Sequence, residues 1–306
     1  MSPKAAIFVV NGGQQPRYGK WIDLLIAKLL EHPPGIPFTL KLWNHDPKEH
    51  ERLQNHPPIG LELQLFQSEP GEEITHLHAT PLQKMYEQID PSEYSHLLVM
   101  DSDAHPIQDH WLSTMIDHTD WKGFGGVWRD ELSDGITPYL HPSCLVIEHE
   151  IFIAGGYRMD YFEAPPKGER RGDTLSFLTQ ALRADGREPL KLHRSNKRNI
   201  HRLVSGLYGD LIYHHGAGSR KRISFHDEKG TLAQKIWNGE LIGRATSCLF
   251  NSYQDYLDYL RGKETNNPKI LSLVDFSETS PEDLPIPLKE RLTYYLKNPR
   301  KFLFGS

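Results

Sequence analysis

The run Leu97-Leu98-Val99-Met100-Asp101-Ser102-Asp103 sets two carboxylates one residue apart directly after a short apolar stretch. Alternate carboxylates can share one hard cation, and Mg2+ or Mn2+ needs only one or two of them when phosphates and waters complete the shell. Acid pairs are also common at turns, where Asp caps and bends the chain. The apolar run in front favours the metal reading. Leu97 to Met100 has the composition of a buried strand, which would carry both acids to the turn at its carboxyl end. Seventeen histidines in 306 residues keep metal chemistry in view. His76 and His78 bracket a turn and are read as loop residues.

Several elements must position that turn. Ala5 to Asn11 is a β-branched and apolar run closed by Asn11-Gly12-Gly13, the punctuation of a buried strand and turn. Trp21, Leu24, Leu25, Lys28 and Leu29 recur at helical spacing, and the helix stops before Pro33-Pro34. Phe38 to Trp43, ending in Asn44-His45-Asp46, and Leu61 to Phe66 read as further strands, and Pro81 to Ile89 as a helix. Ser143 to Ile147 reads as a strand, Thr174 to Leu182 as a helix with Asp173 near its N-cap, and Leu207 to Tyr213 as one late strand. Glu163 to Arg171 and the basic stretch Lys191 to Arg202 read as loops. Strands alternating with helices predict an α/β fold with a mostly parallel sheet flanked by helices, whose ligands sit at the carboxyl ends of the strands. Asn11, Asp46 and Asp101 each fall at such an end.

Composition narrows the class. With 38% hydrophobic and 25% charged residues the chain is globular in character and long enough to bury a core. Its longest apolar runs fall far short of the roughly 20 residues that span a bilayer, and no secretion signal opens it, so a cytoplasmic location is expected. Cys144 and Cys248 are too few for a disulfide framework. The net charge of −5 hides an asymmetry: residues 1–186 hold 15 basic and 27 acidic side chains, and residues 187–222 hold 9 and 2. The basic stretch suits a diphosphate or an anionic acceptor, and the acidic remainder excludes extended nucleic-acid binding. From about residue 265 the chain reads as Pro-punctuated turns. It then becomes a basic amphipathic segment, Pro287 to Phe304, which could touch an anionic membrane surface.

Asp101-Ser102-Asp103, followed by Pro106 and Trp111, resembles the DxD region of GT-A (Rossmann-like) glycosyltransferases, especially the inverting family-two type. The likeness extends from about Ile7 to Ser219. It implies that Val10 and Asn11 touch the nucleotide, that Asp46 contacts base or ribose, and that Asp101, Ser102 and Asp103 hold Mn2+ or Mg2+ with the donor diphosphate. His141 to Ile147 and Gly155-Gly156-Tyr157 are similar to the family's strand and turn before the acceptor side, where Trp128 and Tyr139 could stack a sugar. Gly172-Asp173-Thr174 stands where the family has its Glu-Asp motif, which implies Asp173 as the general base, with Glu163 and Glu169 in reserve. Tyr213-His214-His215-Gly216-Ala217-Gly218-Ser219-Arg220 is similar to the His-rich turn that supplies a late metal or phosphate contact. It implies His214 or His215 as metal ligand, the following Gly and Ser favouring His214, with Arg220 beside the donor.

These features imply a catalytic domain over 1–222 and a C-terminal helical or loop extension over 223–306. The expected activity is metal-dependent transfer of a sugar from a nucleotide sugar, most often a UDP-sugar, to a saccharide or other hydroxyl acceptor. Three alternatives remain. A nucleotidyltransferase has a similar sheet, but a Gly-rich basic loop follows its first strand, whereas Lys20 is the first lysine after Asn11 here. Metal-dependent hydrolases carry an HxHxDH cluster or an N-terminal DxD. A non-catalytic nucleotide-sugar-binding protein would lack the base.

Overall fold

The computed structural model describes residues 3–12, 18–68, 78–130, 138–160, 174–216 and 231–284. They belong to two compact units, Met1–Ser195 with Gly206–Ser219, and Asn196–Ser205 with Arg220–Ser306. The first unit runs β1 (Ala5–Asn11), α1 (Tyr18–Glu31), β2 (Phe38–Asn44), α2 (Pro47–Asn55), β3 (Leu63–Phe66), α3 (Ala79–Tyr86), β4 (His96–Asp101), β5 (Ala104–Pro106) and α4 (Trp111–Ile116). It continues through β6 (Phe124–Arg129), β7 (Tyr139–Glu148), α5 (His149–Ala154), α6 (Ser176–Ala184), β8 (Leu190–Leu192), β9 (Gly206–Tyr208) and β10 (Ile212–His214).

Every residue of β1 is buried, and the pleat divides them between two cores. Ala5, Ile7 and Val9 pack with Ile22, Leu25 and Leu29 of α1 and with Trp111, Leu112 and Met115 of α4. Ala6, Phe8 and Val10 pack with Leu82 and Met85 of α3, Phe152 of α5, and Leu178 and Leu182 of α6. A strand covered on both faces needs apolar residues at every position, which is why β1 lacks a polar alternation. Each large side chain buried this way contributes about 1.5–3 kcal/mol.

The main sheet has seven strands in the order β3-β2-β1-β4-β7-β6-β8. β1 pairs in parallel with β2 and β4, β2 with β3, and β6 with β8. β7 runs antiparallel to both its neighbours, β4 and β6. This is the mixed α/β architecture expected from the alternation of strands and helices: a mostly parallel sheet with helices on both faces.

The late strand expected over Leu207 to Tyr213 is instead a hairpin. Gly209 and Asp210 both have positive φ, +57° and +55°, and Leu211 N donates to Tyr208 O at 3.0 Å. Left-handed conformation at both central residues is what a tight hairpin turn needs. β10 pairs antiparallel with both β9 and β5, forming a three-stranded sheet, β5-β10-β9. The basic stretch from Lys191, expected as a loop, begins inside β8.

The second unit contains α7 (Leu232–Asn251), α8 (Tyr253–Leu260), α9 (Pro268–Ser277) and a 3-10 turn at Pro281–Asp283. Trp237 and Phe276 stack at 5.9 Å between centroids, and Tyr256 Oη donates to Ser205 Oγ at 2.7 Å. The Pro-punctuated turns expected after residue 265 are partly helix. Pro268 occupies the first turn of α9, where its fixed φ suits a helix start, and the Asn267 side chain caps it by accepting from Lys269 N. No helix among the described residues is long and apolar enough to cross a membrane. The segment Pro287 to Phe304 lies outside the described residues.

Candidate metal centre

The register of the central strands brings polar residues together at the carboxyl edge of the sheet. Val10 of β1 stands opposite Asp101 of β4, and Asn11 opposite Asn44 of β2. Asn11 Nδ2 donates to Asn44 Oδ1 at 2.9 Å, and both residues are 1% exposed. Asn11 Oδ1 and Asn44 Nδ2 have no hydrogen-bond partner among the described residues. A buried unsatisfied amide group costs about 1–3 kcal/mol, so the pair is a polar point buried at the carboxyl ends of β1 and β2.

Asp101 ends β4, and three histidines surround its carboxylate. Oδ2 lies 3.6 Å from His141 Nδ1 and 3.6 Å from His214 Nε2, and Oδ1 lies 3.5 Å from His78 Nε2. Asp103 Oδ1 is 3.5 Å from the same His214 nitrogen. The His141 and His214 rings are 4.9 Å apart. One ligand atom from each of Asp101, His141 and His214 can be chosen so that all lie within 4.8 Å of one another, a donor set able to hold a metal ion.

Distant parts of the chain deliver these side chains. The β5–β10 pairing sets His214 opposite Ala104, and His215 N donates to Asp103 O at 3.0 Å, which fixes the acids and the imidazole in one frame. His141 arrives through an irregularity. The β6–β7 register shifts between Gly126 and Trp128, so that residues 141–144 of β7 stand opposite the single Val127. Such bulges re-aim side chains and accommodate proline, here Pro142. Gly126, at φ +148°, makes room for it: a Cβ there would sit 2.0 Å from Cys144 O. Ser143 then orients the ring, its backbone N–H lying 3.1 Å and its Oγ 3.0 Å from His141 Nδ1.

His215 points the other way. It is fully buried, with its ring 4.8 Å from Trp21 and its Nδ1 2.8 Å from Tyr213 Oη. The His105 ring lies 5.0 Å from Tyr213 on the same face. Burial drives both imidazoles toward the neutral form, His105 down to about 3 and His215 to about 4.

The other expected site residues are dispersed. Asp46 caps α2, accepting from Lys48 N at 3.0 Å, two residues beyond the end of β2. Ser102 lies in the turn between the two acids, and Val10 is 8% exposed. Asp173, Arg220, Glu163 and Glu169 lie outside the described residues. Trp128 and Tyr139, considered for sugar stacking, are 6% and 2% exposed, and Lys191 Nζ covers the Trp128 ring at 4.7 Å. The sequence pattern passed over His141, His78 and the Asn44 amide as members of this edge. Asn44 was recognisable as a polar residue closing a buried strand, whereas nothing local distinguishes His141.

No family model matches the sequence, and no curated protein matches it. Among solved structures it is similar to the galactosyltransferase LgtC in complex with donor and acceptor sugar analogues. There the identity is 12% and the TM-score 0.33, over 48% of this chain and 58% of that one. It is similar to CMP:2-keto-3-deoxy-manno-octonic acid synthetase with CTP at 9% identity and TM-score 0.40, over 63% and 90% of the two chains. It is also similar to 4-diphosphocytidyl-2C-methyl-D-erythritol synthase from Anaerococcus prevotii DSM 20548, at 12% identity and TM-score 0.38, over 63% and 87%. Likeness at this level is of architecture, not of activity.

Proposed function

We propose that this chain is a metal-dependent glycosyltransferase that moves a sugar, with inversion, from a nucleotide diphosphate sugar to an acceptor hydroxyl. Uridine is the favoured nucleotide. One juxtaposition carries the reading. The Asp101 carboxylate, 3.6 Å from both His141 and His214, ends the strand beside β1, whose own end holds the buried Asn11–Asn44 amide pair. A cation corner next to an amide pair suits a ligand with a diphosphate at one end and a polar base at the other.

In this reading Val10, Asn11, Asp46, Asp101, Ser102 and Arg220 bind the donor. Asp101, Asp103 and His214 hold Mn2+ or Mg2+. The bound cation supplies neutralisation of the charge that grows on the departing diphosphate. Asp173 takes the proton from the acceptor oxygen as that oxygen attacks the anomeric carbon, and a base opposite the leaving group gives a single displacement and inversion. His215 keeps His214 and Asp103 in register through its backbone N–H.

Incubating the metal-loaded protein with a panel of nucleotide sugars and following nucleoside diphosphate release tests this directly. Release is expected from one class of sugar nucleotide, and Asp173→Asn should retain donor binding while losing transfer to acceptor. The imidazole content of the corner favours one second reading, hydrolysis by a metal-activated water. Turnover of phosphate esters with no release from any nucleotide sugar would replace the first reading with the second.

A further inference from the structure

The corner around Asp101 holds more nitrogen than an oxygen-ligated Mg2+ site needs. Its imidazole-to-carboxylate separations are 3.5, 3.5, 3.6 and 3.6 Å. A close charge-assisted hydrogen bond is about 2.7–2.9 Å. Two ligands on one tetrahedral ion with bonds of about 2.0–2.1 Å stand about 3.3 Å apart. The two 3.6 Å separations of Asp101 from His141 and His214 are therefore nearer to the spacing of ligands on a common centre than to that of hydrogen bonds, and the three ligand atoms lie within 4.8 Å of one another.

We propose that the free protein holds a nitrogen-ligated transition-metal dication, of the Mn2+, Co2+ or Zn2+ class, at Asp101, His141 and His214, before any nucleotide binds. Asp103 and His78 flank it. The inference rests on the reading above for the role of the cation in transfer, and adds the class of metal and the order of binding.

Two chemical differences support this. Mg2+ sheds water reluctantly and takes oxygen ligands, whereas imidazole selects borderline transition metals. A corner of two carboxylates depends on the donor's phosphates to complete its shell, but here three protein ligands converge without them. The rings are also oriented in advance. The His141 ring is held by Ser143, whose backbone N–H and Oγ lie 3.1 and 3.0 Å from Nδ1. His214 is 5% exposed and is held by the β5–β10 ladder, so little ordering remains when the ion arrives.

The test is titration of the metal-stripped, full-length protein with CoCl2 and, separately, MgCl2, in the absence of nucleotide, followed by calorimetry and by the visible absorption of Co2+. One Co2+ per chain is expected, with the absorption bands of a nitrogen-ligated ion, and no saturable heat from Mg2+. His141→Ala should weaken Co2+ binding by at least about tenfold. His118→Ala should leave it unchanged; that ring is exposed and lies 3.9 Å from Asp120, so it controls for the remaining histidines. If His141→Ala does not fold by circular dichroism, His141→Gln, which keeps more of the bulk, is read in the same way. Equal binding of Mg2+ and Co2+, or a folded His141 variant that binds Co2+ as the parent does, overturns the inference. Because nucleotide is absent, those results leave sugar transfer standing. Conversely, Co2+ bound as described with no turnover of any nucleotide sugar would remove the transfer reading alone.

Discussion

On one face of the β5–β10 ladder His214 meets two carboxylates at 3.5 and 3.6 Å, while on the other His105 and His215 pack against Tyr213 and Trp21. Neighbours in the sequence, His214 and His215 are assigned opposite tasks by the strand's two-residue alternation. The front imidazole stands beside charge at the open edge of the sheet. The back one is fully buried beside Trp21 and Tyr213, which disfavours its charged form, and its backbone N–H braces the Asp103 carbonyl. In the proposed reading the same residue type serves chemistry on one side and scaffold on the other, and what differs is the company the face provides.

Substitutions on the two faces should separate these tasks. The largest effect is expected from His214→Ala: a loss of sugar transfer of about 10²–10³-fold, the size seen when one charge-stabilising group is removed, with a melting temperature lowered less than in His215→Ala. A large drop in melting temperature with transfer preserved would reverse the assignment. His215→Ala should do the opposite, lowering stability by about 2–4 kcal/mol as a large buried site is emptied. Cation affinity per folded molecule should be retained, as read by denaturant unfolding alongside metal titration.

The back face should also make stability depend on pH. His105 and His215 have folded values of about 3 and about 4, against about 6.5 in an unfolded chain. Above pH 6.5 both states are neutral at these rings and no dependence arises. As pH falls from about 6.5 toward about 4, the unfolded chain takes up protons that the folded chain refuses, so stability declines by up to about 1.4 kcal/mol per pH unit for each ring. Melting curves recorded from neutral to mildly acidic pH should therefore fall less steeply in His215→Phe than in the parent. Parallel slopes would show that His215 is not held neutral by its surroundings. A smaller effect is expected at Asp46, where Asp46→Ala should cost about 1 kcal/mol through loss of the α2 cap. A weakened affinity for nucleotide in that variant would add a donor contact to its capping role.

Much of the sheet was legible because parallel strands buried on both faces leave uninterrupted apolar runs, and those runs end abruptly in polar residues. β1 ending at Asn11, β2 at Asn44 and β4 at Asp101 have that form, and the rule that ligands gather at such ends points to the edge where the structure gathers Asp101, His141 and His214. Of the three histidines around Asp101, His214 is legible in the sequence and the other two are hidden for different reasons. His141 is turned into place by extra residues in β7, a shift that depends on how β6 and β7 pair and leaves no local periodicity. His78 immediately precedes α3, where a turn histidine looks like any other. The hairpin at Gly209-Asp210 was read through as a strand because apolar residues lie on both sides of it, although a Gly-Asp pair can supply the two left-handed positions that a tight turn requires. Pro268 falls in the stretch expected as Pro-punctuated turns and instead begins a helix, since its position relative to the Asn267 cap decides its effect.

The central claim is that the Asp101 corner holds a cation that in turn holds a nucleotide diphosphate. Calorimetric titration of UDP into the metal-stripped protein, without and with Mn2+, and into Asp101→Asn, tests it most directly. The account predicts weak binding without metal, marked tightening with Mn2+, and loss of that tightening in Asp101→Asn while its melting temperature is maintained. UDP binding that is indifferent to Mn2+ and unchanged in the variant would contradict it.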